Sequence, residues 1–377
     1  MVDFATPEPG ESLRAALDAW MAKAESKAVI DYGFHVVVRA FDSQTAADMR
    51  ALVDDEGVTS FKMFMAYPGR LMADDGAIFR ALRHTREQGG LVMIHAENGG
   101  AIEVLVAEAL QRGQTAPRFH ALTRPPRAEA EAAARAIALA EMAGAPVFIV
   151  HLSSAEALEA VRQGRERGVA VAAETCPQYL CLSDAEYARG GFDAAMFVMS
   201  PPLRPPGHQE ALWRGLAARE LDTVGTDHCP FGMNDPPHKQ RGRDDFSKIP
   251  NGAPGIETRL MLLWDAGVRT SLITPERFVE ITAAAPAKIF GLWPRKGAIL
   301  EGSDADIVLW NPEKTVTLSA ATHHMRVDYS LYEGRRVTGA PEIVLSRGEV
   351  IVDRGVFAGR RGRGRFLKRA AATPVSA

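Results

Sequence analysis

Cysteine is scarce. Cys176, Cys181 and Cys229 are the whole set in 377 residues. An odd, sparse set builds no disulfide framework and fits a reducing cytoplasm. Cys176 and Cys181 match no familiar zinc spacing and read as structural. No run of about 18 apolar residues occurs, so no transmembrane helix is expected. The opening Met1-Val2-Asp3-Phe4-Ala5 lacks the basic region and long apolar core of a secretory signal. Excess charge is missing as well. A net charge of −3 sets up no global field toward nucleic acid or membrane. One basic cluster closes the chain: Arg360, Arg361, Arg363, Arg365, Lys368 and Arg369. A lone tail of that kind is expected to be solvated or to touch another subunit, not to bind nucleic acid. No internal repeat is visible.

What is present is an ordinary globular balance, 46% hydrophobic and 24% charged. The length suits a barrel of about 250 residues with an appendage. Apolar, β-branched runs alternate with amphipathic ones. Strands are expected at Met1–Ala5, Ile30–Val38, Ser60–Tyr67, Gly90–His95, Pro146–His151, Val169–Glu174 and Asp222–Gly225. Helices are expected from Pro9, over Ser43–Glu56 and Gly76–Gln88, and from about Ala128 to Ala143. Further helices are expected over Ala155–Arg167, His208–Arg219 and Pro275–Phe290. The alternation predicts a parallel sheet with helices outside it. Its seven strands fit a (β/α)8 barrel without its first strand. After Trp293-Pro294, six short strands between turns are expected, from Asp306 to Val352. The chain thus divides into a barrel, 1–295, a small β-sandwich part, 296–358, and a basic tail, 359–377. The segment from Phe231 to Gly255 reads as a long loop, a class that is usually functional or disordered.

The most informative stretch is Ser60-Phe61-Lys62-Met63-Phe64-Met65-Ala66-Tyr67, a buried strand with one lysine inside it. A buried ammonium shifts its pKa, finds an anion or is modified. Active sites of such barrels lie at the C-terminal ends of the strands. Read there, the next strand ends in His95-Ala96-Glu97, another in His151-Leu152-Ser153, and the last in Thr226-Asp227-His228. A single strand-end histidine is an ordinary hydrogen bonder. Two of them, with an aspartate at one rim, are zinc-type ligands. Glu97 and His228 lie close enough to orient those ligands. His35 is mid-strand and reads as structural. His84, His120, His208, His238, His323 and His324 have no comparable position. A neutral lysine amine reacts with carbon dioxide to give a carbamate, whose two oxygens are suited to bridging two metals about 3.5–4 Å apart.

The chain resembles the dihydropyrimidinase/hydantoinase branch of the amidohydrolases. The matching segments are Gly57–Tyr67, His95–Gly99, Ile149–Ser153, Glu174–Leu180, Met199–Arg204, Val224–Cys229, Asp244–Phe246 with Ile249–Gly252, and Gly302–Val308. The resemblance runs from Met1 almost to the end. It implies a distorted TIM-like barrel, a small β-sandwich region, two Zn²⁺ ions bridged by carboxylated Lys62, and a cytosolic homotetramer. By position, Lys62 bridges the metals, His95 and His151 bind one, and Asp227 binds the other. Asp227 also shuttles a proton, Tyr67 donates to the tetrahedral oxyanion, and Ser200 and Asn251 hold the substrate's amide edge. The implied reaction is hydrolysis of a dihydropyrimidine or 5-substituted hydantoin to an N-carbamoyl amino acid by a metal-bound hydroxide.

One family feature is absent. The His-x-His pair of the first barrel strand occurs nowhere in these residues; the adjacent pair His323-His324 lies in the C-terminal β region. The expectation is that about 80 residues of the family pattern precede Met1, one βα unit and a few strands. One zinc or fewer, and poor activity, are then expected of this chain alone. Two other readings are a noncatalytic oligomerising relative and an amidohydrolase acting on dihydroorotate or allantoin. The retained Lys62, His95, His151 and Asp227 argue against the former. Tyr67, Ser200 and Asn251 argue against the latter.

Overall fold

A computed structural model describes residues 1–372. Seven parallel strands form one sheet in sequence order. They are β1 (Val2–Ala5), β2 (Gly33–Val37), β3 (Ser60–Phe64), β4 (Leu91–His95), β5 (Val147–Ile149), β6 (Val171–Thr175) and β7 (Thr223–Val224). The connecting helices are α1 (Leu13–Ala24), α2 (Ser43–Glu56), α3 (Asp75–Gln88), α4 (Gly99–Gln111), α5 (Phe119–Leu122), α6 (Pro126–Ala143), α7 (Ala155–Glu166), α8 (Pro177–Cys181) and α9 (Pro206–Ala217). Side-chain caps fix where several helices start. Ser12, Asp42, Asp74, Asn98 and Ser154 each accept from a backbone N–H three residues on.

Strand alternation sorts the side chains into two layers. Val92, Ile94, Val147 and Ile149 face the helices in the main core. Leu91, Met93, Phe148, Val150 and Ala172 fill the inside of the curled sheet with Ile289 and Phe290. Lys62 is in register with Met93, and neighbours in a parallel ladder share a face, so Lys62 points inward.

The basic tail is packed along the barrel and not a free arm, which corrects the expectation of a solvated tail for its backbone and for Arg363 and Arg369, while Arg360, Arg361, Arg365 and Lys368 stay exposed. Its backbone crosses the N-terminal ends of the strands. Leu367 N donates to Tyr32 O at 2.8 Å, Arg369 N to Gly57 O at 2.9 Å and Ala372 N to Gly89 O at 2.9 Å. Arg363 and Arg369 are buried. Arg369 donates to Ser60 Oγ at 2.8 Å and to Phe34 O at 2.6 Å. The tail's last residues, 373–377, lie outside the described residues.

The C-terminal β region is a four-stranded antiparallel sheet in the order β11-β10-β9-β8. β8 (Ile307–Thr317) and β9 (Arg336–Ser346) each join two of the expected short strands, and β10 (Glu349–Asp353) and β11 (Val356–Phe357) complete the sheet. Pro312 does not end β8, because a register shift between Asn311 and Thr315 absorbs it. Val327–Tyr329, one of the six short strands expected, is not a strand. Asp328 there accepts from Met233, Asn234 and Asp235 N at 2.8, 2.7 and 3.1 Å, and so ties down the long loop. Downstream lies α10 (Arg259–Leu263). The helix expected over Pro275–Phe290 is α11 (Pro275–Val279) and α12 (Ala285–Ile289), joined by a π-helical turn at Glu280–Ala284. Pro286 lacks the N–H that a regular α ladder needs.

Candidate active site

The chemistry-bearing residues follow the inward-facing positions to the C-terminal rim. His95 closes β4 and His151 follows β5. His95 Nδ1 and His151 Nε2 face one another at 3.0 Å, and both rings are buried. On its far side His95 Nε2 donates to Glu97 Oε2 at 2.8 Å. That bond leaves Nδ1 as the lone pair, aimed at His151. His151 Nε2 therefore carries the proton of this contact, and His151 Nδ1 is buried with no protein partner.

Three rim residues take backbone conformations that side chains disfavour. Tyr67, His151 and Asp227 have φ of +66°, +38° and +46°. At His151 the strain is held by a buried network. Ser153 N and Oγ each donate to the Glu129 carboxylate at 2.7 Å. Arg204 Nε donates to Ser153 Oγ at 3.0 Å, and Arg204 Nη2 to Glu129 at 3.2 Å. Near Asp227, a Cβ on Gly225 would meet the Glu174 carboxylate at 2.4 Å, so the close approach requires glycine.

Burial dominates the electrostatics. It pushes the Lys62 ammonium down to about 8, opposed by Asp227 and then Glu174. The free amine, the form that adds to carbon dioxide, is therefore a minor form at neutral pH but far more populated than for an exposed lysine. Burial pushes Asp227 up to about 6 against the pull of Lys62. It pushes Glu174 up to about 7, again against Lys62. His95 is lowered, chiefly by burial and against Glu97; His151 lies well below its ordinary value through burial, Lys62 and His95. Both imidazoles are thus neutral, the state a metal binds.

On the substrate side, the Tyr67 ring lies 5.5 Å from the His95 ring. Burial raises the pKa of its hydroxyl, opposed by Ser200 and Asn251. Asn251 Nδ2 donates to Ser200 Oγ at 3.1 Å. The structure therefore brings Lys62, His95, His151 and Asp227 into one charge-coupled group, with Tyr67, Ser200 and Asn251 beside it. His228 turns away, and its Nδ1 accepts from Gly255 and Ile256 N. His35 bonds Ser60 and packs on Phe4 and Phe290.

Among the described residues, no three His, Cys, Asp or Glu side chains form a ligand cluster. The rim instead offers two imidazoles, one carboxylate and a lysine amine. This donor set fits a borderline divalent cation, since the imidazole nitrogens converge and both rings are neutral. The amidohydrolase family model matches residues 10–361. The chain belongs to the amidohydrolase family.

Within that family, this amidohydrolase is 53% identical to the D-hydantoinase of Streptomyces coelicolor over 370 residues, 98% of this chain and 78% of that one. It is 46% identical to the D-hydantoinase of Geobacillus stearothermophilus over the same shares. The solved structure of the dihydropyrimidinase from Brevibacillus agri superposes with a TM-score of 0.97 at 47% identity, covering 99% of this chain and 80% of that one. The chain is a hydantoinase- and dihydropyrimidinase-type amidohydrolase with a barrel sheet and a C-terminal β region, as its motifs imply.

Sequence reasoning missed several supporting residues. Glu129, Arg204 and Lys239 are buried charges in segments that read as helix or loop. His120, which has no strand-end position, is buried in α5 and bonds Met199 O at 2.8 Å. Glu174, a strand-end carboxylate, is charge-coupled to Lys62 and Asp227.

Proposed function

We propose that this amidohydrolase adds water across the cyclic amide of a dihydropyrimidine or a 5-substituted hydantoin. The ring C–N bond breaks, the carbonyl carbon gains the hydroxyl, the nitrogen gains the proton, and the product is an N-carbamoyl amino acid. The observation that carries this reading is the convergence of His95 Nδ1 and His151 Nε2 at 3.0 Å beside inward-facing Lys62.

His95, His151 and carboxylated Lys62 would hold one zinc; Lys62 and Asp227 are the donors these residues offer a second. When bound, zinc supplies Lewis acidity toward the amide carbonyl and lowers the pKa of water. Glu97 fixes the His95 ring, and the Glu129–Ser153–Arg204 network fixes the loop that carries His151. Asp227 accepts the proton of the attacking water and returns it to the departing nitrogen. Tyr67 donates to the carbonyl oxygen as it gains charge. Ser200 and Asn251 hold the amide and carbonyl edge of the ring, largely through backbone groups. The three free cysteines agree with a cytoplasmic setting. Among the described residues no helix is long and apolar enough to cross a membrane. A homotetramer follows from the family resemblance.

The test is ring opening. The zinc-loaded chain is incubated with hydantoin and dihydrouracil, and N-carbamoyl products are followed by mass. Slow product formation that Lys62→Ala abolishes is expected. Preferential opening of dihydroorotate or allantoin, or no product above the Lys62→Ala level, overturns the reading.

A further inference from the structure

Lys239 is fully buried in the long loop between β7 and α10. Its Nζ donates to three backbone carbonyls: Val198 O at 2.8 Å, Pro250 O at 3.0 Å and Gly252 O at 2.8 Å. Three N–H groups meet three acceptors, and no ion-pair partner reaches the charge among the described residues. Such burial is costly; it pushes the ammonium down to about 7. A lysine needed only for packing has cheaper apolar replacements.

The carbonyls it gathers belong to two separate segments. Val198 lies two residues before Ser200, and Pro250 and Gly252 flank Asn251. The same segments also bond directly, Gly252 N to Val198 O at 3.0 Å and Asn251 Nδ2 to Ser200 Oγ at 3.1 Å. The second segment is then pinned to the Asp227 strand end. Cys229 N donates to Ala253 O at 3.1 Å, and a Cβ on Gly252 would meet Cys229 O at 2.4 Å. Buried His120 holds the intervening Met199 O. Each carbonyl that Lys239 Nζ bonds is therefore one residue or two from Ser200 or Asn251.

We propose that Lys239 is a positioning residue for substrate: its ammonium clamps the Val198–Ser200 and Pro250–Gly252 segments together and fixes the Ser200–Asn251 pair that receives the amide edge of the ring. This inference rests on the cyclic-amide reading above. It adds that ring recognition is set from behind by a cation that touches neither substrate nor metal. Lys239→Met keeps the stem and removes all three donors. Val198 O, Pro250 O and Gly252 O lose their Nζ donor, and the two segments are then joined only by the Gly252 N–Val198 O and Asn251–Ser200 bonds. A misplacement on the order of 1 Å in such a frame costs about tenfold to a hundredfold.

The experiment compares wild type, Lys239→Met and Lys239→Gln, all zinc-loaded. It measures zinc per chain, the Kd for hydantoin by calorimetry, and hydrogen exchange by segment. Zinc per chain is expected to stay at the wild-type value, because the strand ends holding it do not touch Lys239. In Lys239→Met the hydantoin Kd is expected to rise about tenfold or more. Exchange should accelerate at residues 246–253 and not in β3 to β6. Lys239→Gln, which keeps two N–H donors, should recover part of the affinity. Wild-type affinity in Lys239→Met overturns the clamp. So does loss of zinc and of strand protection together, because Lys239 is then a general stability residue. A wild-type chain that binds zinc but no hydantoin overturns the cyclic-amide reading, and this inference with it.

Discussion

Replacing Arg204 by methionine tests how the His151 loop is held. The Arg204 and Glu129 side chains are 4% and 3% exposed, so water screens their charges little. Arg204 gives Nε to Ser153 Oγ, Nη2 to Glu129 and Nη1 to Arg124 O. Methionine fills a similar stem volume and offers none of these donors. Glu129 then keeps its two bonds from Ser153 but loses its counter-charge. Removing one partner of a buried ion pair costs about 3–5 kcal/mol. The surface pair Arg14–Asp18, at 49% and 59% exposed, is the internal control. Arg14→Met should cost less than about 1 kcal/mol. Urea unfolding followed by circular dichroism reads both. The double variant Arg204→Met/Glu129→Gln removes the stranded charge and should cost less than the sum of the two single variants, by about 0.5–3 kcal/mol. Because Ser153 anchors the strained φ of +38° at His151, zinc affinity should fall in Arg204→Met. A cost below about 1 kcal/mol for Arg204→Met, or strictly additive single variants, would refute the network's role.

Two further perturbations address catalysis and the floor of the barrel. Tyr67→Phe removes one hydroxyl from the Ser200–Asn251 cluster, and kcat for ring opening should fall by about 10²–10³ with little change in KM; near-normal kcat would make Tyr67 a packing residue. Asp31 is buried, where desolvation alone would raise its pKa, but Lys296 at 2.8 Å and the Arg365 N–H at 3.0 Å bring it below the ordinary 3.8. A carboxyl depressed in the folded state stabilises the fold above its unfolded pKa, and that contribution is lost as pH falls through the folded pKa. Asp31→Asn should therefore cost about 1.5–3 kcal/mol at neutral pH and flatten the stability profile below about pH 4; an unchanged acid limb would exclude Asp31 from it.

The barrel was legible because its strands carry their own signal. β3 to β6 are short apolar runs bounded by turns, and the caps Asp42, Asp74 and Ser154 mark where helices begin. The rim was legible for the same reason, since His95 closes β4 and His151 and Asp227 follow β5 and β7. α4 escaped notice because Gly99-Gly100 opens it, although Asn98 is a sound cap and Ile102 and Ala109 bury one face. The β region was read as fragments because Pro312 and Gly339 look like breaks in a local window. A bulge carries the pairing across the first, and the Trp264 indole packs against the second. The tail was misread because its charge suggests solvent. What buries Arg363 and Arg369 is a set of carbonyls from residues far away in sequence. The same holds for Lys239, Glu129 and Arg204: their partners are set by tertiary folding and leave no periodic trace.

As proposed above, Lys62 would organise a metal centre with His95 and His151. Zinc per chain settles it most directly. The 377-residue chain is reloaded with zinc and bicarbonate, desalted and analysed by mass spectrometry of the metal. The proposed ligands, three for one ion and two for the other, predict about one tightly held zinc per chain. Lys62→Ala should reduce it to near none, with partial return when short carboxylic acids replace the carbamate. Unchanged zinc in Lys62→Ala would contradict the account.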